Sequence, residues 1–291
     1  MTSALSPESF AHERVDVGEL ALHVVRAGRG GSPLVLLLHG FPEFWWSWRH
    51  QLSALAAAGC DVVAPDLRGY HLSDKPRAVS DYRMEHLERD VAGLIRASGA
   101  ARAVVVGHDW GGAVAYSFAE HHPEMVERLA VLNVPHPERL LRALRTPKQL
   151  LKSAYMLYFQ LPLLPELALS ARDFRGLRGV FEPDGRPPGE IAPYVEAART
   201  AGDRLRGGLN YYRASLREAL LGSLPHFEPI VVPTLVIWGQ RDRFLGEELA
   251  TPDPQLVPDA RVERIPTATH WVQQDAPETV TQLLLDFIRQ S

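Results

Sequence analysis

An α/β fold built on a doubly wound, mostly parallel sheet is the architecture this sequence predicts, and three observations predict it. Short, continuously apolar segments recur along the chain: Leu34-Val35-Leu36-Leu37-Leu38, Asp61-Val62-Val63-Ala64, Ala103-Val104-Val105-Val106, Leu129-Ala130-Val131-Leu132 and Pro233-Thr234-Leu235-Val236-Ile237-Trp238. Runs of this length, bounded by turn residues, suit strands buried on both faces, as in a parallel sheet covered by helices. Stretches with helical spacing at 48–58, 84–95 and 113–120 alternate with the first four runs, as right-handed crossovers require. Finally, 291 residues with 46% hydrophobic content are enough to bury a large core.

The remaining elements follow in order. Val15 and Val17, a Gly18-Glu19 turn, then Leu20, Leu22 and Val24 alternate as an opening antiparallel hairpin does. After Asn133 the strand–helix rhythm stops, and residues 135–224, rich in Leu, Arg, Pro and aromatics, predict a helical insertion. This cap would divide a core made of 1–134 and 225–291. Inside it, Glu182-Pro183-Asp184-Gly185-Arg186-Pro187-Pro188-Gly189 is a breaker-rich loop between two helical stretches. A last strand at 261–265 and an amphipathic helix at 277–288 complete the sheet and its cover.

Several function classes are disfavoured by composition. A net charge of −4, from 31 basic and 35 acidic residues, leaves no basic excess to neutralise the phosphates of a nucleic acid. Cys60 is the single cysteine and is expected to be buried and reduced. Met1-Thr2-Ser3-Ala4-Leu5-Ser6-Pro7 lacks a basic or apolar leader, and no later apolar run is long enough to span a bilayer, so a cytoplasmic location is expected. No histidine or cysteine spacing suggests a metal, and His121-His122 reads as an exposed pair. Neither a metal nor an organic cofactor is expected. A homodimer is left open.

The sharpest local signal is Gly107-His108-Asp109-Trp110-Gly111-Gly112, where a buried strand meets a helix through G-x-D-x-G, the pattern of a nucleophile elbow. Glycines on both sides let strand and helix approach closely while the central residue is held in a strained conformation. An aspartate that merely caps the helix is the competing reading of this pentapeptide taken alone. Three partners favour the elbow. His39-Gly40-Phe41-Pro42 ends the first parallel strand, where folds with this elbow place an oxyanion-hole N–H, so Phe41 and Trp110 N–H groups are assigned to that hole. His39 itself is expected to order the loop. Asp242 follows a late strand in Trp238-Gly239-Gln240-Arg241-Asp242, and His270 follows the last strand in Ala268-Thr269-His270-Trp271. Singly, Asp242 reads as a solvated charge and His270 as one of 12 histidines. Their order after the nucleophile, acid then base, favours a catalytic set.

With these motifs the chain resembles, over nearly its whole length, the soluble epoxide hydrolases of the α/β-hydrolase superfamily. Asp66-Leu67-Arg68-Gly69-Tyr70-His71-Leu72-Ser73-Asp74 is similar to that family's D-x-R-G-Y-G-x-S loop, with His71 where glycine is usual. If that backbone needs a positive φ, His71 must adopt a left-handed conformation. The resemblance implies a carboxylate nucleophile, Asp109, which is already anionic and displaces at a saturated carbon to give an alkyl-enzyme ester. His270, oriented by Asp242, would activate water to hydrolyse the ester. It also implies a pair of ring-opening general acids, Tyr155 and Tyr212, in Ala154-Tyr155-Met156-Leu157-Tyr158 and Asn210-Tyr211-Tyr212-Arg213. Spacing alone does not choose among these four tyrosines, which read equally as packing residues.

The implied activity is conversion of a small apolar epoxide plus water to a vicinal diol. A haloalkane dehalogenase is the nearer alternative, favoured by the Trp110 indole and weakened by the tyrosine pair and by Phe41. A fluoroacetate-type dehalogenase would follow its nucleophile with arginine. A non-catalytic binding protein is the distant alternative, in which triad positions are usually lost. Asn133 stands where some relatives carry the acid; an amide cannot serve, which leaves Asp242.

Overall fold

The computed structural model describes residues 7–28, 30, 32–221 and 227–290. The leader reading of residues 1–6 and the core–cap boundary expected at 224/225 lie outside the described residues. β1 (Ala11–Asp16) and β2 (Ala21–Ala27) form the expected antiparallel hairpin. β3 (Leu34–Leu38), β4 (Asp61–Pro65), β5 (Ala103–His108), β6 (Val126–Leu132), β7 (Thr234–Gly239) and β8 (Ala260–Ile265) complete an eight-stranded sheet in the order β1-β2-β4-β3-β5-β6-β7-β8. β2 joins β4 antiparallel, and every pair from β4 to β8 is parallel. All residues of β3, β4, β5 and β7 are buried, which is why their sequences are apolar throughout instead of alternating.

The chain leaves β3 to build β4 on one side and β5 on the other. Strand order therefore reverses at the β3–β5 pair, and the loops leaving the carboxyl ends of these two strands diverge to open a crevice. His39 and Phe41 leave β3 into it, and Asp109 leaves β5 beside them. The sheet is covered by α1 (Arg49–Ala57), α2 (Met84–Ala97) and α3 (Trp110–His121). Two boundaries differ from the sequence pattern. A 3-10 turn at Trp45–Trp48 precedes α1 and buries Trp45 and Trp48 almost completely. α3 begins at Trp110, ahead of the apolar spacing, because the Asp109 carbonyl already accepts from Ala113 N–H at 2.9 Å.

Among the described residues between β6 and β7 are the helices α4 (Pro137–Ala143), α5 (Pro147–Lys152), α6 (Ala154–Tyr158), α7 (Leu164–Phe181), α8 (Pro188–Ala201) and α9 (Arg206–Leu221). Proline sits in the first turn of α4, α5, α7 and α8, where its missing N–H costs nothing and its fixed φ suits a helix start. α7 is interrupted by non-helical backbone from Ala171 to Phe174. The breaker-rich segment forms a 3-10 turn at Glu182–Asp184 and a left-handed Gly185 before α8. α10 (Val272–Asp275) and α11 (Pro277–Arg289) follow β8, and α11 packs on α1. Among the described residues, no helix is long and apolar enough to cross a membrane.

One buried ion pair ties the inserted helices together around two tyrosines. The Arg213 guanidinium donates to Glu166 Oε1 at 2.7 Å and Oε2 at 3.0 Å, and both side chains are only 7% exposed. It also donates to the Phe159 carbonyl at 2.9 Å and the Leu161 carbonyl at 2.8 Å. Arg213 follows Tyr212 on α9, and Phe159 ends the turn begun by Tyr155 on α6, so the clamp fixes the spacing of those tyrosines. Glu166→Ala leaves the guanidinium buried without its counter-charge and is expected to destabilise the protein by ~3–5 kcal/mol. Urea unfolding measures this; a loss below about 1 kcal/mol, the worth of an exposed pair, would show that the two carbonyls suffice.

Candidate active site

Asp109 stands at the turn between β5 and α3 with φ 50° and ψ −119°, outside the regions that side chains ordinarily occupy. The glycines make this possible. A Cβ on Gly107 would lie 2.3 Å from the Gly111 carbonyl oxygen, and one on Gly111 would lie 2.2 Å from the Leu38 carbonyl oxygen. The Phe41 N–H donates to Asp109 Oδ1 at 2.9 Å. Trp110 is the first residue of α3, where the N–H has no carbonyl one turn back to serve.

The other two residues expected of the triad come from β7 and β8, which lie beyond β6 in the sheet. Asp242 follows β7 and His270 follows β8, and both are buried. His270 Nδ1 lies 2.7 Å from Asp242 Oδ2, while its Nε2 faces Asp109 Oδ2 at 3.5 Å. Asp242 Oδ1 accepts from the N–H groups of Phe244 at 2.7 Å and Leu245 at 3.0 Å. Its Oδ2 also accepts from the Asn133 amide at 2.8 Å. Asn133, unsuited to be the acid, thus holds it, and the Asn133 Oδ1 accepts from Gly239 N–H at 2.8 Å.

Behind the triad lies a second polar cluster. His108 is fully buried, with Nδ1 2.7 Å from Glu43 Oε2 and Nε2 2.9 Å from the His270 carbonyl. Glu43 also accepts from Gln274 and Gln273 and from the Gly40 N–H. This network ties the loop after β3, the elbow and the loop after β8 into one unit. His108 and Glu43 stand inside the motifs that flag the site, but sequence reading gave them no role. Two polar residues within otherwise apolar or glycine-rich turns were the available signal. His39 orders its loop as expected: its Nδ1 lies 2.9 Å from the Gly40 carbonyl and its Nε2 accepts from Leu67 N–H at 3.0 Å.

Tyr155 and Tyr212 face each other across the top of the site, with ring centroids 6.0 Å apart. Two cavities meet there. One of about 170 Å³ is bounded by Phe41, Phe159, Phe244, His270 and Trp271, and one of about 140 Å³ by Trp110, Val134, Leu140, Met156 and Leu245. Asp109, Tyr155 and Tyr212 are the three residues that line both. The neighbouring tyrosines are engaged elsewhere. Tyr158 is exposed and donates to the Leu164 carbonyl at 3.2 Å, and Tyr211 is buried and donates to the Arg68 carbonyl at 2.9 Å. Geometry therefore separates the four tyrosines that spacing left equivalent.

Charge in the site is balanced by contact. Burial pushes the Asp109 carboxyl up, but the His270 side chain, then His108 and the Phe41 N–H, hold it below the ordinary range. Burial likewise opposes charge on His270, yet Asp242 and then Asp109 raise its pKa from 6.5 to about 10. Burial raises the Tyr155 and Tyr212 hydroxyls, and the Asp109 charge adds to it, so both keep their protons at neutral pH. The His270 shift has a consequence for stability. A group whose folded pKa is raised stabilises the fold fully below its unfolded pKa and loses that contribution as pH rises through the folded value. The stability difference between the parent and His270→Gln should therefore be largest at about pH 6 and decline toward about pH 10. Urea midpoints across this range check it; a difference that stays flat or grows would show that His270 is not held as the imidazolium.

A family profile described as alpha/beta hydrolase fold matches residues 33–277. The chain is 41% identical to AB hydrolase superfamily protein YfhM of Bacillus subtilis, over 94% of this chain and 96% of that protein. It is 42% identical to Epoxide hydrolase 3 of Xenopus tropicalis, over 93% of this chain and 75% of that one. Among solved structures, a variant of an epoxide hydrolase from Bacillus megaterium bound to its naphthyloxy-propanediol product superposes with a TM-score of 0.86 at 30% identity. That match covers 96% of this chain and 100% of the other. The chain belongs to the epoxide hydrolase family of the α/β-hydrolase superfamily.

Proposed function

We propose that this protein hydrolyses a small, mainly apolar epoxide to a vicinal diol through a covalent ester on Asp109. The observation that carries the reading is that Asp109, Tyr155 and Tyr212 are shared by both cavities, which puts a carboxylate opposite two protonated phenols at one junction. An epoxide there would extend its substituents into the two lobes. The family's relatives support the class, since an epoxide hydrolase of 30% identity is seen with a diol product.

Different contacts at the two carboxylate oxygens support different tasks for them. Oδ1 accepts from Phe41 N–H, and Oδ2 faces His270. Oδ2 is thus the attacking atom: it bonds the epoxide carbon as the carbon–oxygen bond breaks, and the departing oxygen takes a proton from Tyr155 or Tyr212. The ester's carbonyl oxygen is then Oδ1, already held by Phe41, with the Trp110 N–H at the helix start as second donor to the oxyanion that follows. Alkylation also removes the negative charge of Asp109. His270 loses one of the two carboxylates that raise its pKa, and can now pass its proton, through solvent, to the tyrosinate left by ring opening and accept one from water attacking the ester carbon. Asp242, held by Asn133, keeps the ring in the tautomer this requires. The inserted helices α4 to α9 act as a cap that supplies the acids and screens the ester from bulk water.

Halide displacement is the competing use of the same nucleophile, and the tyrosines decide between them because a halide leaves without a proton. Each single Tyr155→Phe or Tyr212→Phe change should leave reduced epoxide opening. The double change should lower it by about 10²–10⁴-fold, the usual contribution of general acid catalysis. Single-turnover alkylation of Asp109 by an epoxide and by a matched haloalkane reads both. An epoxide rate that survives the double change, or a parent alkylated only by the haloalkane, would assign dehalogenation instead.

A further inference from the structure

Away from the active site, at the edge where β2 and β4 carry the 66–74 loop, three donor atoms converge. His23 Nδ1 lies 2.6 Å and His71 Nδ1 lies 2.9 Å from the same oxygen, Asp66 Oδ2. The three donor atoms all fall within 4.8 Å of one another. Asp66 and His23 are buried, and the His71 side chain is 15% exposed, which leaves a path from solvent. His71 has φ 36°, the left-handed backbone expected of it, and this conformation brings its ring back over Asp66.

The surroundings orient these atoms. Asp66 Oδ1 accepts from Trp45 N–H at 3.2 Å, and Oδ2 has a longer contact to Leu72 N–H at 3.4 Å. Ser73 Oγ accepts from His23 N–H at 2.8 Å and donates to the Asp66 carbonyl at 2.5 Å, pinning β2 to the loop. Behind His23, its Nε2 lies 2.9 Å from His12 Nδ1, and His12 Nε2 lies 2.9 Å from the Pro7 carbonyl. A carbonyl only accepts, so His12 donates to Pro7 from Nε2. His23 Nδ1 and His71 Nδ1 reach the Asp66 carboxylate as N–H donors, and a bound ion would take the place of those two protons.

We propose that His23, His71 and Asp66 bind one divalent transition-metal ion of the zinc class, with His12 as the outer partner that orients His23. Two imidazoles and one carboxylate with a position left for water form a known ligand set for such ions. An outer hydrogen bond from the ligand's second ring nitrogen is the usual support. Bonds of about 2.0–2.1 Å to zinc separate donor atoms by roughly 3.3 Å, so the two imidazoles need to draw back from Oδ2 by well under about 1 Å. The site would staple the hairpin to the loop after β4, and it is independent of the triad.

The test uses the full chain freed of metal by a chelator, titrated with Zn²⁺ alone by calorimetry and with Co²⁺ followed by its visible absorption. One equivalent is expected to bind, with Co²⁺ bands of a nitrogen and oxygen site, and Mg²⁺ should not compete. His71→Gly, which glycine's backbone freedom tolerates at this φ, should abolish binding while far-ultraviolet circular dichroism shows an intact fold. His12→Phe, which keeps a ring against His23, should weaken affinity roughly tenfold or more. His121 and His122, which both lie near Glu88, are the competing location. Absence of saturable binding in the parent would overturn the proposal. Binding that survives His71→Gly and is lost in His121→Gln/His122→Gln would do the same.

Discussion

The backbone of Asp109 carries more of this structure than any other position. A carboxylate side chain held at φ 50° is tolerated only because strand, turn and helix meet without Cβ atoms at Gly107 and Gly111. Once it is held, its Oδ1 reaches the N–H of Phe41 on the adjacent strand's loop. The reversal of strand order between β3 and β5 makes that reach possible, since it brings two carboxyl-terminal loops side by side above one crevice. The oxyanion donors, the cavities and the facing histidine are all placed relative to this turn.

Around it the site solves an electrostatic problem with one cation between two anions. Asp242 is buried and the Asp109 side chain is 16% exposed, positions where a charged carboxylate is costly unless it is paired and hydrogen-bonded. His270 lies between them, and backbone N–H groups and Asn133 satisfy the remaining oxygens. In the proposed reaction, neutralising Asp109 by alkylation would weaken the hold on the imidazolium proton, so the group that steadies the resting carboxylate would become the base for the following step. The tyrosines, kept protonated by burial near the same carboxylate, complete a site with proton donors on one side and a proton acceptor on the other.

Much of this was legible in the sequence where local chemistry decides the outcome. β3, β4, β5 and β7 announce themselves by unbroken apolar runs because both faces of each are covered, and the elbow by glycines that no other residue could replace. The inserted helices were harder. Their leucines do not mark an inward face, since Leu151 is 80% and Leu163 is 68% exposed. Breaks at 172–174, Leu163 and Leu205 rest on positive φ values at ordinary residues, which no turn motif signals. Asn133, His108 and Glu43 were visible as residues but not as parts of the site, because the side chains and loops they join lie 65 to 231 positions apart in sequence. His23 falls within the hairpin strand β2, and the partners that hold it, Asp66 and Ser73, come from a distant loop.

The central claim is that Asp109 becomes covalently esterified and that water attacks the ester and not the epoxide. A single turnover in oxygen-18 water, with enzyme in excess over epoxide, tests it directly. Because the ester's bridging oxygen comes from the Asp109 carboxylate and leaves with the product, the diol should carry no label. The peptide containing Asp109 should gain about 2 Da, since the incoming water oxygen stays on the enzyme. Label in the diol of the first turnover, with that peptide unchanged, would mean that water opened the ring itself and would contradict the account.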